Sequence, residues 1–405
     1  MANRTRPIRI EFCVSDYEHR LIKNKMAQLG TRNMGAYLRK MAIDGYIIKV
    51  DYTEQKKLAA AVSRAAANIN HICRRINQTG HFYAEDVADL KAQQGYHARK
   101  LEAIVVFALS AVMKLTQDPL GGKYSVKWND SVGTVHTDLV YGEKVANKFD
   151  LYLPADDSKE NYGLVVYLHP GGFTSGDKSG DAEMLQWLCS KGYVAAGINY
   201  TLFNEENPTA SVYSQSVEIR DSIPSVIAEA EKLGYKIGKM AIGGGSAGHA
   251  LAMIYAYRDA AQAPVPVVLT FGGVGPASFY QEDWGVFGLD QSDEACAGLF
   301  SVMAGTEITP AEVADGSYLE KVKPISAADW VTADSPATVV AYGTHDKMQP
   351  FLASLPLKAA LEEHGVDYKY FEFPHSGHGL QNDTKIYAQW MDTVEEYLNT
   401  YLPVK

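Results

Sequence analysis

Cysteine is scarce. Cys13, Cys73, Cys189 and Cys296 are the only four in 405 residues, and none forms a C-x-x-C pair. That excludes a disulfide framework and a thiolate zinc site, and fits a reducing cytoplasm. The histidines show no H-E-x-x-H spacing, and no Gly-Lys-Ser/Thr follows the glycines at 243–245. Neither a catalytic metal nor a nucleotide loop is expected, and no cofactor is implied. Long apolar runs are missing too. The most apolar stretch, Ala103 to Met113, is about half of the roughly 20 residues that a membrane span requires. The start, Met1 to Arg9, is polar and basic, with no apolar core of a signal peptide behind it. The expectation is a cytoplasmic protein with no membrane partner.

What is present suits a globular protein of two modules. The chain is 46% hydrophobic and 21% charged, enough for a sizeable core. Its net charge of -10 is unevenly placed. Residues 1–105 hold 18 basic and 10 acidic side chains, whereas the rest holds 20 and 38. A sign change of that size separates modules with different partners. The basic one suits a polyanion.

The basic module begins with alternation. Ile8, Ile10, Phe12 and Val14 face one side and Arg9, Glu11 and Cys13 the other, as in a half-buried strand. Ser15, with Glu18 three residues on, starts a helix that Gly30 ends, and Asn33 caps a second over Met34 to Ile43. Leu58, Val62, Ala65, Ile69, Ile72 and Ile76 recur at helical spacing in a third.

After Pro119-Leu120-Gly121-Gly122 the pattern changes to strands alternating with helices. Strands are predicted at 134–141, 148–152, 164–168, 194–199, 240–243, 265–271, 338–342 and 368–372. Helices are predicted at 183–191, 212–233, 247–260, 351–364 and 382–401. Such alternation implies a mainly parallel sheet covered on both faces.

Chemistry gathers in this second module. Gly244-Gly245-Ser246-Ala247-Gly248 stands between a predicted strand and a predicted helix. This is G-x-S-x-G in the context that lets a serine hydroxyl project from a tight turn, with a helix N-terminus behind it to stabilise negative charge. About 75 residues earlier, His169-Pro170-Gly171-Gly172-Phe173 follows an apolar strand. These segments, with Gly197-Ile198-Asn199-Tyr200-Thr201-Leu202, resemble the esterase/lipase branch of the α/β-hydrolases from about Tyr124 to the C-terminus. The resemblance implies a mostly parallel sheet with a helical lid insertion. It also implies oxyanion donors at the backbone N–H groups of Gly171, Gly172 and Ala247. Pro170 replaces the first glycine of the family's loop, at a position not expected to donate. Thr201 replaces an arginine.

The family's order is nucleophile, acid, histidine. Asp346, after the strand at 338–342, resembles the acid, and His378, in Gly377-His378-Gly379, resembles the base. His375 is the competing base; His169 and His345 read as structural. Ser246, Asp346 and His378 are thus the expected triad of a serine hydrolase acting on a small-molecule carboxylic ester. A peptidase or amidase on the same scaffold is the alternative enzyme. Between Phe271 and Ala337, Phe279, Tyr280, Trp284, Phe287, Phe300, Tyr318 and Trp330 suggest either an aromatic wall to the acyl pocket or ordinary packing of a lid.

Residues 4–95 resemble a MobC-type plasmid mobilisation protein with a ribbon-helix-helix fold. The resemblance is carried by Arg9-Ile10-Glu11-Phe12, by Tyr37 to Gly45 and by Asn68 to Asn77, where His71 replaces a glutamine. It implies a homodimer that binds DNA, with Arg9, Glu11 and Cys13 facing the groove and Arg6, Arg32 and Lys40 on phosphates. The expected organisation is 1–95 for this segment, 96–120 for a linker or apolar helix, and 121–405 for the hydrolase. A DNA-binding accessory with a passenger hydrolase is the non-enzyme alternative. Nothing chemical links the modules, which suggests a fusion of neighbouring genes or a gene-model join near residues 95–106.

Overall fold

The computed structural model describes residues 122–404, together with Lys23 and Met34. The expected ribbon-helix-helix segment, its candidate DNA contacts Arg6, Arg9, Glu11, Cys13, Arg32 and Lys40, and the stretch 96–120 lie outside the described residues.

Eight strands form one sheet: β1 (Gly133–Val140), β2 (Lys148–Pro154), β3 (Tyr162–Leu168), β4 (Val194–Ile198), β5 (Ile237–Gly245), β6 (Val267–Gly273), β7 (Ala337–Gly343) and β8 (Tyr368–Phe373). Their order is β1-β2-β4-β3-β5-β6-β7-β8. The β1–β2 and β2–β4 pairs are antiparallel, and all pairs from β4 to β8 are parallel. All eight expected strands are present. β3 and β6, which carry the short apolar runs at 164–168 and 265–269, each have a neighbour on both sides, as a strand buried on both faces must.

Five main helices cover the sheet: α1 (Ala182–Ser190), α2 (Val212–Lys232), α3 (Ala247–Ile254), α7 (Leu355–Glu363) and α8 (Thr384–Tyr401). Between β6 and β7 the insertion adds α4 (Asp293–Ala304), α5 (Pro310–Asp315) and α6 (Tyr318–Val322). Alternation along β3 divides the interior in two. Leu164, Val166 and Leu168 join α2, α3, α7 and the insertion, while Val165 and Tyr167 join α1 and α8. The helix expected over 247–260 is α only to Ile254. It continues as a π-helical turn over Tyr255–Asp259, where Arg258 reaches the Pro324 carbonyl at 2.6 Å and ties the helix to the insertion.

α3 is buried along its whole length and lies hard against the end of β3. A Cβ on Gly248 would come within 2.0 Å of the Leu168 carbonyl oxygen. Only glycine permits that approach. Gly248→Ala is therefore expected to lower stability by about 1–3 kcal/mol. Gly298→Ala, in the exposed interior of α4 with nothing within 4 Å of the new methyl, should raise it by up to about 1 kcal/mol. Thermal melts of the two variants beside the wild type check both signs.

Candidate active site

Ser246 occupies the single residue between β5 and α3, with φ 51° and ψ −119°. This conformation costs a non-glycine residue about 1–3 kcal/mol and persists only where surroundings enforce it. Its N–H donates to the Gly273 carbonyl at 2.9 Å, and its carbonyl accepts from Ala250 N at 3.0 Å. The turn is thus fastened to β6 on one side and to the first turn of α3 on the other.

The loops after β7 and β8 bring the other two residues to it. His378 Nε2 lies 2.8 Å from Ser246 Oγ, and His378 Nδ1 lies 2.8 Å from Asp346 Oδ2. Asp346 is buried, and its Oδ1 accepts the N–H groups of Met348 and Gln349 at 2.8 and 2.9 Å. A carboxylate so filled acts as acceptor toward His378. Nδ1 then carries the imidazole proton and Nε2 accepts the serine hydroxyl. The acid and histidine loops are joined by His345 N to the Ser376 carbonyl and Thr344 N to the Phe373 carbonyl, both at 3.1 Å.

His375 is turned elsewhere. Its side chain is 76% exposed and bonds Asp383 through Nδ1 at 2.8 Å. The Asp383 carboxylate also accepts His375 N at 3.0 Å and Ser376 Oγ at 2.6 Å. Burial pushes the Asp383 carboxyl up, but the Ser376 and His375 hydrogen bonds outweigh it and hold it below the usual aspartate range. His375 therefore pins the loop that carries His378. His345 pairs with Thr344 at 3.0 Å.

The loop after β3 runs through three positive-φ residues, Gly171 (140°), Gly172 (60°) and Phe173 (66°). A Cβ at Gly171 would fall 1.8 Å from the Ser175 carbonyl oxygen. The N–H groups of Gly171, Gly172 and Ala247 donate to no acceptor among the described residues. The loop itself is held firmly. Buried Gln215 donates from Nε2 to the Phe173 and Thr201 carbonyls at 2.9 and 2.8 Å, and Phe203 N adds 3.0 Å to the former. His169 stacks on Tyr200 with ring centroids 4.3 Å apart, and the Tyr200 hydroxyl donates to the His169 carbonyl at 2.8 Å. Burial lowers the His169 pKa.

At Thr201, where the resemblance implied an arginine, the backbone N–H donates to Glu218 at 2.8 Å. Lys144 and Asn147 bind the same carboxylate at 2.6 and 3.1 Å. Gln215, Glu218 and Asp383 were not foreseen. For the first two a signal exists: they interrupt the apolar stripe of Val212, Ile219 and Ile223 on α2, and a polar residue on a buried stripe has a partner to meet. His249, also unforeseen, is fully buried. It accepts Gly275 N on Nδ1 at 3.1 Å, and burial pushes its pKa down to about 3.

The aromatic residues of the insertion pack mainly on one another. Phe279, Trp284, Phe300 and Tyr318 are buried, with Phe300 5.5 Å from both Phe279 and Trp284 and 6.1 Å from Tyr318. Only Phe287 of the seven is largely exposed, at 45%. Of the two readings of this segment, packing accounts for these four rings.

The strand order, the crossovers and the serine turn define the fold, which is that of the α/β-hydrolases. Comparisons with known proteins agree and add detail. Residues 149–271 match the family model BD-FAE, residues 298–404 the prolyl oligopeptidase family, and residues 4–76 the mobilization protein NikA. A search of curated proteins found no match. Among solved structures, esterase B from Lactobacillus rhamnosis is 18% identical, covering 74% of this chain and 94% of that one, with a TM-score of 0.52. A truncated carbohydrate esterase from gut microbiota is 19% identical over 67% of this chain and 98% of that one, at 0.53. A thermophilic esterase from Thermogutta terrifontis is 21% identical over 67% and 94%, at 0.52. No helix among the described residues is long and apolar enough to cross a membrane, and no cluster of three or more metal-ligating side chains occurs among them.

Asp383→Asn tests the loop anchor. A carboxyl held low in the fold contributes stability above the ordinary aspartate range, near pH 3.8, and loses it as pH falls through its folded value. The variant should melt lower than the wild type at pH 7, by about 1–3 kcal/mol of stability. The gap should close as the pH is taken below 4 in a series of melts.

Proposed function

We propose that the chain is a serine-dependent hydrolase of carboxylic esters, with Ser246 as nucleophile, His378 as general base and Asp346 as its orienting acid. The observation that carries the reading is the unbroken chain from Ser246 Oγ through His378 to Asp346, both links 2.8 Å, on a strained turn. In this reading His378 Nε2 takes the hydroxyl proton as Oγ attacks the acyl carbon. Asp346 stabilises the imidazolium that forms. The unpaired N–H groups of Gly171, Gly172 and Ala247 receive the oxyanion, each donor being worth about 3 kcal/mol. His378 then returns the proton to the leaving alcohol, and water, deprotonated by the same base, releases the acid. Gln215 supports the donors by fixing the backbone of Phe173. No cofactor or metal takes part.

The prolyl oligopeptidase match spans the acid and histidine loops, parts an ester and an amide hydrolase hold in common, so it does not favour a peptidase. Hydrolysis of a short-to-long series of p-nitrophenyl esters tests the proposal. Ser246→Ala should remove activity by about a million-fold, and Asp346→Asn should lower kcat by about ten-thousand-fold. Gln215→Ala, losing a buried amide with two acceptors, should lower kcat roughly five- to a hundredfold. No turnover of any ester by folded protein would count against the reading.

A second activity is proposed for the N-terminal segment because residues 4–76 match a mobilization protein. In this proposal it binds DNA as a homodimer, with Arg9, Glu11 and Cys13 toward the bases and Arg6, Arg32 and Lys40 on phosphates. Binding to duplex DNA should weaken steeply with salt and be unchanged in Ser246→Ala. Affinity that ignores salt, or Arg9→Ala with wild-type binding, would contradict it.

A further inference from the structure

A cavity lies on the other face of the sheet from the insertion. It is about 480 Å³ in volume, between α1 and α8, and Tyr124, Tyr167, Asp181, Glu183, Tyr387 and Met391 are among the residues that line it. Among the described residues its lining contains two carboxylates and no lysine or arginine. The nearby Lys123 ammonium is held by Asp392 at 2.7 Å.

Asp181 is the anomaly. It immediately precedes α1 but makes no capping hydrogen bond. Its Oδ2 is shut off from solvent and has no hydrogen-bond partner. A half-buried carboxylate with one oxygen so enclosed is costly to ionise unless something pairs with it. Among the described residues that line the cavity, its neighbours offer no cation: Tyr167 on β3, Glu183 on α1, Tyr387 on α8, and Tyr124. The Tyr167 and Tyr387 hydroxyls donate to no protein group, while that of Tyr124 is engaged with Asp392 and the Ala388 carbonyl. The cavity also approaches the serine turn. A Cβ on Gly245 would sit 3.8 Å from the Tyr167 hydroxyl and 3.9 Å from Pro170.

We infer that this cavity binds the ammonium head of a small organic cation, with Asp181 as counter-ion and the tyrosine rings as walls. Aromatic faces attract large, weakly hydrated cations, and a neighbouring carboxylate adds charge complementarity. The inference is independent of the hydrolytic reading, because occupancy requires no chemistry at Ser246.

The test is calorimetric titration of the full chain with benzyltrimethylammonium. One saturable site is expected at pH 8. Burial raises the Asp181 pKa to about 6, so at pH 5 only about a tenth of it is ionised and the affinity should fall roughly tenfold. Asp181→Asn should weaken binding at pH 8 by at least about tenfold, and Glu183→Gln, at an exposed position, by about two- to threefold. Ser246→Ala should bind as the wild type does, which separates this result from the fate of the hydrolytic proposal. No saturable binding by folded wild type, or equal affinity at pH 5 and pH 8 and in both carboxylate variants, would overturn the inference.

Discussion

The site depends on one close approach. The first turn of α3 lies against the carboxyl end of β3 with room for no side chain at Gly248. That contact fixes where the helix begins, and therefore forces the chain to turn at Ser246 with a backbone that serine does not choose on its own. Both N–H and carbonyl of Ser246 are bonded to neighbouring elements, so the strain is held by the sheet and not left to the loop. The hydroxyl is presented as a consequence. Loops after three other parallel strands then reach the same edge, because parallel strands end together.

Around that turn the structure uses buried polar side chains as fasteners. Gln215 holds the loop that carries Gly171 and Gly172, Glu218 holds the strand end at Thr201, and Asp383 holds the histidine loop. None of them touches Ser246. Gln215 fixes the backbone that follows Gly171 and Gly172, and preorganised stabilisation of a developing charge requires donors held in that way.

Much of this was legible in the sequence. The eight strands follow from apolar runs and alternation, and β3 and β6 read as central from the short apolar runs at 164–168 and 265–269. Ser246, Asp346 and His378 were readable because each sits in a short glycine-rich loop after a strand, and the structure brings these three together. The fasteners were less legible, since a glutamine such as Gln215 gains meaning only when the carbonyls it meets, of Phe173 and Thr201, are known to lie beside it. The aromatic residues of the insertion were ambiguous for a related reason: composition marks Phe300 as apolar, but only the fold shows that its neighbours are Phe279, Trp284 and Tyr318 and not a ligand. The break in the helix after Ile254 had no sequence signal at all, because Tyr255 to Asp259 contains neither proline nor glycine.

The central claim is that Ser246 carries the acyl group between the two halves of the reaction. Rapid mixing of the full chain with an excess of a short p-nitrophenyl ester tests it most directly, with a quenched sample digested and its peptides weighed. The account predicts a burst of p-nitrophenol approaching one equivalent per chain wherever release of the acyl group is the slower half. It predicts the mass of the acyl group on the peptide containing Ser246, and neither signal in Ser246→Ala. An acyl group found on another residue, or hydrolysis that survives in Ser246→Ala, would contradict it.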